Sequence, residues 1–163
     1  MADVGDLAEA VDLRLFRNTP PPIAALETSE KALSDGRGHR KSEPAPIYGS
    51  EDSPTADAEF LHHHPYFSGS TIRQTELHGR LLVLDVLQDG VEDALNVATE
   101  DLVRETDWHP CQELAGKLFA SGVQALRLPS VRNAGGTNLI IERSAGVRHL
   151  REAEIVYRVI EKP

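Results

Sequence analysis

The chain has 163 residues, enough for one domain with its own core and short for two. Its formal net charge of −9 argues against nonspecific binding to nucleic acid or anionic lipid, since both need clustered Lys and Arg. Aromatics are only 5%, so aliphatic side chains must fill the core, and the single cysteine, Cys111, excludes an internal disulfide and a cysteine-based zinc site.

The start, Met1 to Asp6, lacks the basic residues and apolar run of a signal peptide, so a reducing cytoplasm is the expected compartment. Residues 1–10 are expected to form a short helix with a thin apolar face of Leu7, Ala8, Ala10 and Val11. Leu13 to Arg17 alternates as a strand does, and Asn18 to Pro22 stop it. Residues 23–46 are polar and loop-like, with Gly36, Gly38, Pro44 and Pro46. A loop that long in a compact domain is functional or mobile as a rule, and this one carries Arg37.

Ile47 to Ser50 reads as a brief strand or turn. Ser53-Pro54 then reads as a helix start, with Ser53 as N-cap and Pro54 at the first helical position. Pro65 ends that helix, which places Glu59 inside it beside Ala56 and Phe60. Gly79 to Val86 is the strongest strand, with Asp89-Gly90 as its turn. Val91 to Val97 and Leu102-Val103 are ambiguous between helix and loop. Pro110 to Ser121 is the clearest helix, with Cys111, Leu114, Ala115, Leu118 and Phe119 on one stripe and Gly122 as its stop. Val123 to Leu128 and Asn138 to Ile141 read as strands flanking Ser130, and Ala153 to Ile160 as a final strand. Strands and helices mix without a βαβ repeat, so the expected fold class is α+β: a single domain over 1–163, with its core at about 12–160 and a mobile loop at about 23–46.

Five polar residues stand out for chemistry. Arg17 and Arg37 are guanidinium forks that match phosphate oxygens with paired hydrogen bonds. Tyr48 offers an aromatic face and one hydroxyl, which suits a flat ring such as nicotinamide. Glu59 can stabilise the positive charge that develops on a sugar as its glycosidic bond breaks. Ser130 follows a proline between two strands, where a hydroxyl can be aimed at a ligand. Each also has a plainer role: a solvated loop arginine, a surface ion pair, a core tyrosine, a solvated helix face, a turn serine. Gly135-Gly136 either lets backbone approach a ligand or makes a hairpin turn, the commoner use. His62-His63-His64 does not read as a metal site, because consecutive helical residues point about 100° apart.

The strings around these residues carry a resemblance. Leu15-Phe16-Arg17, Gly36-Arg37, Ile47-Tyr48-Gly49-Ser50, Thr55 to Glu59 and Leu128 to Arg132 occur in order, with equal steps from Arg37 to Tyr48 and from Tyr48 to Glu59. Together they resemble the RES domain, a family of toxins from bacterial RES–Xre toxin–antitoxin pairs, over roughly residues 12–143. Members often carry an aromatic residue and Asn where this chain has Gly38-His39. The resemblance implies an ADP-ribosyltransferase-like fold of small packed sheets around an NAD cleft. It implies NAD as substrate, with Arg17 and Arg37 on phosphates, Tyr48 at the nicotinamide end, Glu59 at the ribosyl cation and Ser130 orienting ribose or amide. Cleavage of the nicotinamide–ribose bond would pass ADP-ribose to water, phosphate or a protein side chain. The implied partner is an Xre-like antitoxin whose C-terminal segment plugs the cleft in a multi-subunit complex. A non-catalytic binding module that keeps the cleft is the alternative, favoured by Gly38-His39.

Overall fold

The computed structural model describes residues 3–162. A short 3-10 turn at Val4–Leu7 leads into strand β1, Glu9–Thr19. The expected N-terminal helix is therefore replaced by strand from Glu9 onward, and residues 1 and 2 lie outside the described residues. The cause is long-range pairing: Glu9, Ala10 and Val11 lie opposite Val83, Leu82 and Leu81 of the long strand β3, Ser70–Asp85. A ladder with a central strand outweighs the weak helical preference of so short a segment.

Strand β3 also begins nine residues earlier than Gly79. Its first half, Ser70 to His78, is mostly polar and shows no clean alternation, yet it pairs on both edges, with β1 and with β6, Leu150–Ile160. Strand β2 is Ile47–Ser50, β4 is Ala125–Pro129 and β5 is Thr137–Ile141. The strands run in the order β1-β2-β5-β4-β3-β6, and the additional β1–β3 pairing closes the first five into a barrel. One closed sheet thus stands where small packed sheets were expected; β6 lies outside the ring as an extra strand on β3.

Two cores result, one on each side of the barrel wall. Leu13, Leu15, Leu77, Leu81, Val83, Leu139 and Ile141 form the first. Leu84, Leu126, Leu128 and Ile140 point the other way and meet Leu102, Cys111, Leu114 and Leu118. The last three come from helix α4, His109–Ala120, whose apolar stripe packs as its spacing predicts. Burial pushes the Cys111 thiol up to about 12, consistent with a core residue rather than a nucleophile. The ambiguous segments form two short helices, α2 at Val91–Leu95 and α3 at Thr99–Leu102. A further helix, α5 at Arg143–His149, has no strong apolar periodicity and was not expected.

Helix α1 spans Ser53–His63, and its cap is Asp52 rather than Ser53: the Asp52 carboxylate accepts from the Thr55 N–H at 2.8 Å. Phe60 and Leu61 pack on Ile72 and Ile160, which fixes the helix across one end of the barrel. Among the described residues no helix is long and apolar enough to cross a membrane.

Candidate active site

The ends of β1, β2 and β4, the start of β5 and one face of α1 enclose a cavity of about 560 Å³. Arg17, Arg37, Tyr48 and Glu59 all line it, so the fold brings together four of the five residues singled out by the sequence. Ser130 stands just behind, buried, with its hydroxyl on Glu59.

Glu59 is the most constrained of these. Ser130 Oγ and Asn138 Nδ2 both donate to its Oε1, each at 2.8 Å. The Ser130 hydroxyl in turn accepts from the Arg132 and Asn133 backbone N–H groups in the loop between β4 and β5. The carboxylate is thereby oriented from one side, and among the described residues its Oε2 accepts no hydrogen bond. Gly135-Gly136 makes the turn of that hairpin: Gly135 has φ +83°, and a Cβ on Gly136 would run into Thr55. The turn reading is the one the structure bears out.

Arg17 is the least satisfied charge. It is half-buried, with its Nε shielded from solvent, and the one hydrogen bond its side chain makes among the described residues is a long one from Nη1 to the Tyr48 carbonyl, at 3.4 Å. Its Nε has no partner among the described residues. Burial lowers its pKa to about 10, so it remains cationic at neutral pH. A desolvated guanidinium without a counter-charge is costly, and an anion entering the cavity would offset that cost.

Arg37 is held differently. Its Nη1 donates to the carbonyls of Leu102 and Arg104, at 3.1 and 2.9 Å, tying the long loop to the end of α3 and the segment after it. That loop has neither helix nor strand beyond a Gly36–His39 bridge, yet Gln112 of α4 also clasps it, donating to the Gly36 and His39 carbonyls.

The departure at Gly38-His39 has a structural role. The Gly38 N–H donates to the Tyr48 hydroxyl at 3.0 Å, and His39 Nδ1 lies 2.7 Å from that hydroxyl. His39 Nε2 faces the Ser34 carbonyl, which only accepts, so Nε2 carries the proton and Nδ1 accepts from Tyr48. Burial lowers the His39 pKa, which favours this neutral tautomer. Burial likewise raises the Tyr48 phenol well above its ordinary value. Gly36 and Gly38 flank Arg37, and their missing Cβ atoms make room for protein: a Cβ on Gly36 would strike His39 and Tyr48, and one on Gly38 would strike Ile140.

The three histidines diverge, as helical geometry requires. His62 accepts from Arg132 Nη2, His63 lines the cavity, and His64 meets the Tyr66 hydroxyl. Burial lowers the pKa of His63, reinforced by His62 and opposed by Glu59. Arg132 also pairs with Glu105 at 3.0 Å, so one guanidinium joins α1, the hairpin loop and the segment after α3. The sequence reading did not single out Asn138, His39, His63, Trp108 or Arg132. Asn138 carries a signal as the first residue of an expected strand, and His39 as a departure from the usual aromatic-Asn pair.

The fold and cavity define an α+β protein with a closed strand barrel and a polar pocket at one end. In sequence, the RES domain matches residues 9–158, and the chain belongs to that family. Among solved structures it is similar to a chain in the crystal structure of the M. tuberculosis MbcT–MbcA toxin–antitoxin complex, with a TM-score of 0.79 at 17% identity. That alignment covers 96% of this chain and 90% of the other, and at this identity the likeness is one of fold. No curated protein matches the chain.

Proposed function

We propose that the protein is a RES-type toxin that consumes NAD by cleaving the bond between nicotinamide and ribose. The observation that carries this reading is the pairing, in one cavity, of an under-satisfied guanidinium with an oriented carboxylate: Arg17 and Glu59. Arg17 and Arg37 take the pyrophosphate oxygens. The Tyr48 hydroxyl is already committed to Gly38 and His39, so its ring, rather than its hydroxyl, meets the nicotinamide end.

The Glu59 carboxylate faces the nicotinamide ribose. As the C1′–N1 bond breaks, its electron pair leaves with the pyridinium nitrogen and neutralises it, and positive charge develops on the ribose. The carboxylate stabilises that charge, and Ser130 and Asn138 keep it from rotating away. The oxygen of an acceptor then bonds to C1′ and releases its proton. Water gives ADP-ribose, phosphate gives a phosphorylated product, and a protein side chain gives ADP-ribosylation. In this reading the cavity corresponds to the NAD cleft of ADP-ribosyltransferases, and the whole chain works as one RES domain.

The partner we propose is an antitoxin of Xre type that inserts a C-terminal segment into the cavity within a multi-subunit complex. Family membership and the fold shared with a chain of a toxin–antitoxin complex support it. Expression in bacteria should arrest growth, with rescue by the neighbouring open reading frame. Normal growth together with stable NAD levels would count against both activity and partnership. The Gly38-His39 departure no longer favours a non-catalytic module, since His39 seats Tyr48 rather than disrupting the site.

A further inference from the structure

Apart from its arginines, the cavity wall carries Asp35, His39, Tyr48, Glu59, His63 and His64 as titratable groups. Most are already engaged. His39 and Tyr48 hold one another at 2.7 Å, and Asp35 accepts from the Lys41 backbone N–H, also at 2.7 Å. Ser130 and Asn138 hold Glu59, and His64 meets the Tyr66 hydroxyl at 3.2 Å while packing on Phe60. His63 alone in this group makes no hydrogen bond to a described residue; its ring lies edge-on to His62 at 5.0 Å. It is also exposed, so it stands where the cavity opens to solvent.

His63 follows Glu59 by four residues on α1, so both side chains leave the helix on one face and reach the same cavity. The charged groups around it are Glu59, His62 and His64 on its own helix and Arg37 from the long loop. Partial burial lowers its pKa, His62, His64 and Arg37 push it the same way, and Glu59 opposes them. A ring held below its ordinary 6.5 is uncharged at neutral pH and has a lone pair free for a proton. On the footing of the NAD-cleaving function proposed above, we infer that His63 is the general base that takes the acceptor's proton as the acceptor oxygen bonds to C1′. A water oxygen that forms this bond carries a surplus proton. Glu59 cannot take it without losing the charge that stabilises the ribosyl cation. The O–H bonding pair stays on the acceptor oxygen, the proton moves to a ring nitrogen of His63, and the imidazolium returns it to solvent at the cavity mouth. Phosphate arrives with an oxygen already anionic and needs this help least.

Nicotinamide release in phosphate-free buffer, from about pH 5 to 8.5, tests the assignment on wild type, His63→Gln and His63→Ala. Wild-type kcat/KM should fall on acidification with its midpoint below 6.5. His63→Gln should lower kcat about 100-fold, change KM less than about threefold and flatten the acid limb. Added imidazole should restore His63→Ala in proportion to its concentration, which a merely structural ring would not allow. With phosphate as acceptor both variants should lose less, so that products shift from ADP-ribose toward its phosphorylated form. Because the side chain is exposed, both variants should melt as wild type does. A wild type that cleaves NAD while His63→Gln keeps its kcat and pH profile would overturn the base assignment and leave NAD cleavage standing. So would an effect confined to KM, or a His63→Ala protein that imidazole leaves unchanged. A wild type that releases no nicotinamide with any acceptor would remove NAD cleavage itself, and this role with it.

Discussion

The Glu59 carboxylate and the Ser130 hydroxyl, 71 residues apart in the chain, meet at 2.8 Å behind the wall of the cavity. The contact joins helix α1 to the β4–β5 hairpin, and Asn138 at the start of β5 donates to the same carboxylate oxygen. An acidic group clasped on one oxygen presents the other in a fixed direction, which is what electrostatic stabilisation of a developing cation requires.

Asn138→Ala should therefore slow chemistry more than it weakens binding. We expect kcat on NAD to fall by about 10-fold or more with KM changed by less than about threefold. Steady-state kinetics by nicotinamide release separates the two parameters. A rise in KM at unchanged kcat would show that Asn138 serves binding instead.

Arg17 should trade stability for function. Its Nε is shielded from solvent without a partner among the described residues, and charge removal relieves desolvation. Arg17→Met is expected to melt at or above the wild-type temperature while NAD affinity falls roughly tenfold or more. Calorimetric titration with NAD and a thermal scan test this together. A destabilised variant that binds NAD normally would assign Arg17 a purely structural role.

His39 should make stability pH-dependent. Its folded pKa lies below the ordinary 6.5, because burial disfavours the charged ring. Between the two values the unfolded chain binds more protons than the folded one, so stability falls as pH drops through that window. Protonation also abolishes the Nδ1 acceptor for Tyr48. Burial also lowers the pKa of His63 and His64, so they add to the same trend. Melting temperature should decline on acidification below about pH 6.5, and His39→Gln should flatten part of that decline. Equal slopes in wild type and variant would remove His39 from the account.

Gly36→Ala should loosen the site without touching a ligand directly, because its Cβ would strike His39 and Tyr48. A loss of about 1–3 kcal/mol in stability is expected, within the range of overpacking substitutions. NAD binding should weaken in parallel. Urea denaturation and titration of the same preparation decide it; a neutral substitution would mean the 34–39 loop shifts freely.

Much of this architecture was legible in the chain, and the gaps have physical causes. Helix α4 and strands β4 and β5 follow from local spacing, since each buries a continuous apolar face. The first half of β3 was not legible, because Thr71, Arg73, Thr75 and Gln74 earn strand geometry from neighbours on both edges rather than from their own pattern. Barrel closure depends on the same pairing and left no local mark. Arg17, Arg37, Tyr48 and Glu59 were legible by type and order, and they line one cavity. His39 was visible only as a departure. Its function depends on a phenol nine positions away meeting it across a loop that no periodicity describes.

We propose that this cavity breaks the nicotinamide–ribose bond with Glu59 as the stabilising carboxylate. The most direct measurement is quantitative product analysis of NAD incubated with wild type and with Glu59→Gln, in the presence and absence of phosphate. Wild type should release one nicotinamide per NAD consumed. Glu59→Gln should release it at least about 100-fold more slowly with the fold retained. Equal turnover by the two proteins, or intact NAD after incubation of wild type with water, phosphate and protein acceptors alike, would contradict it.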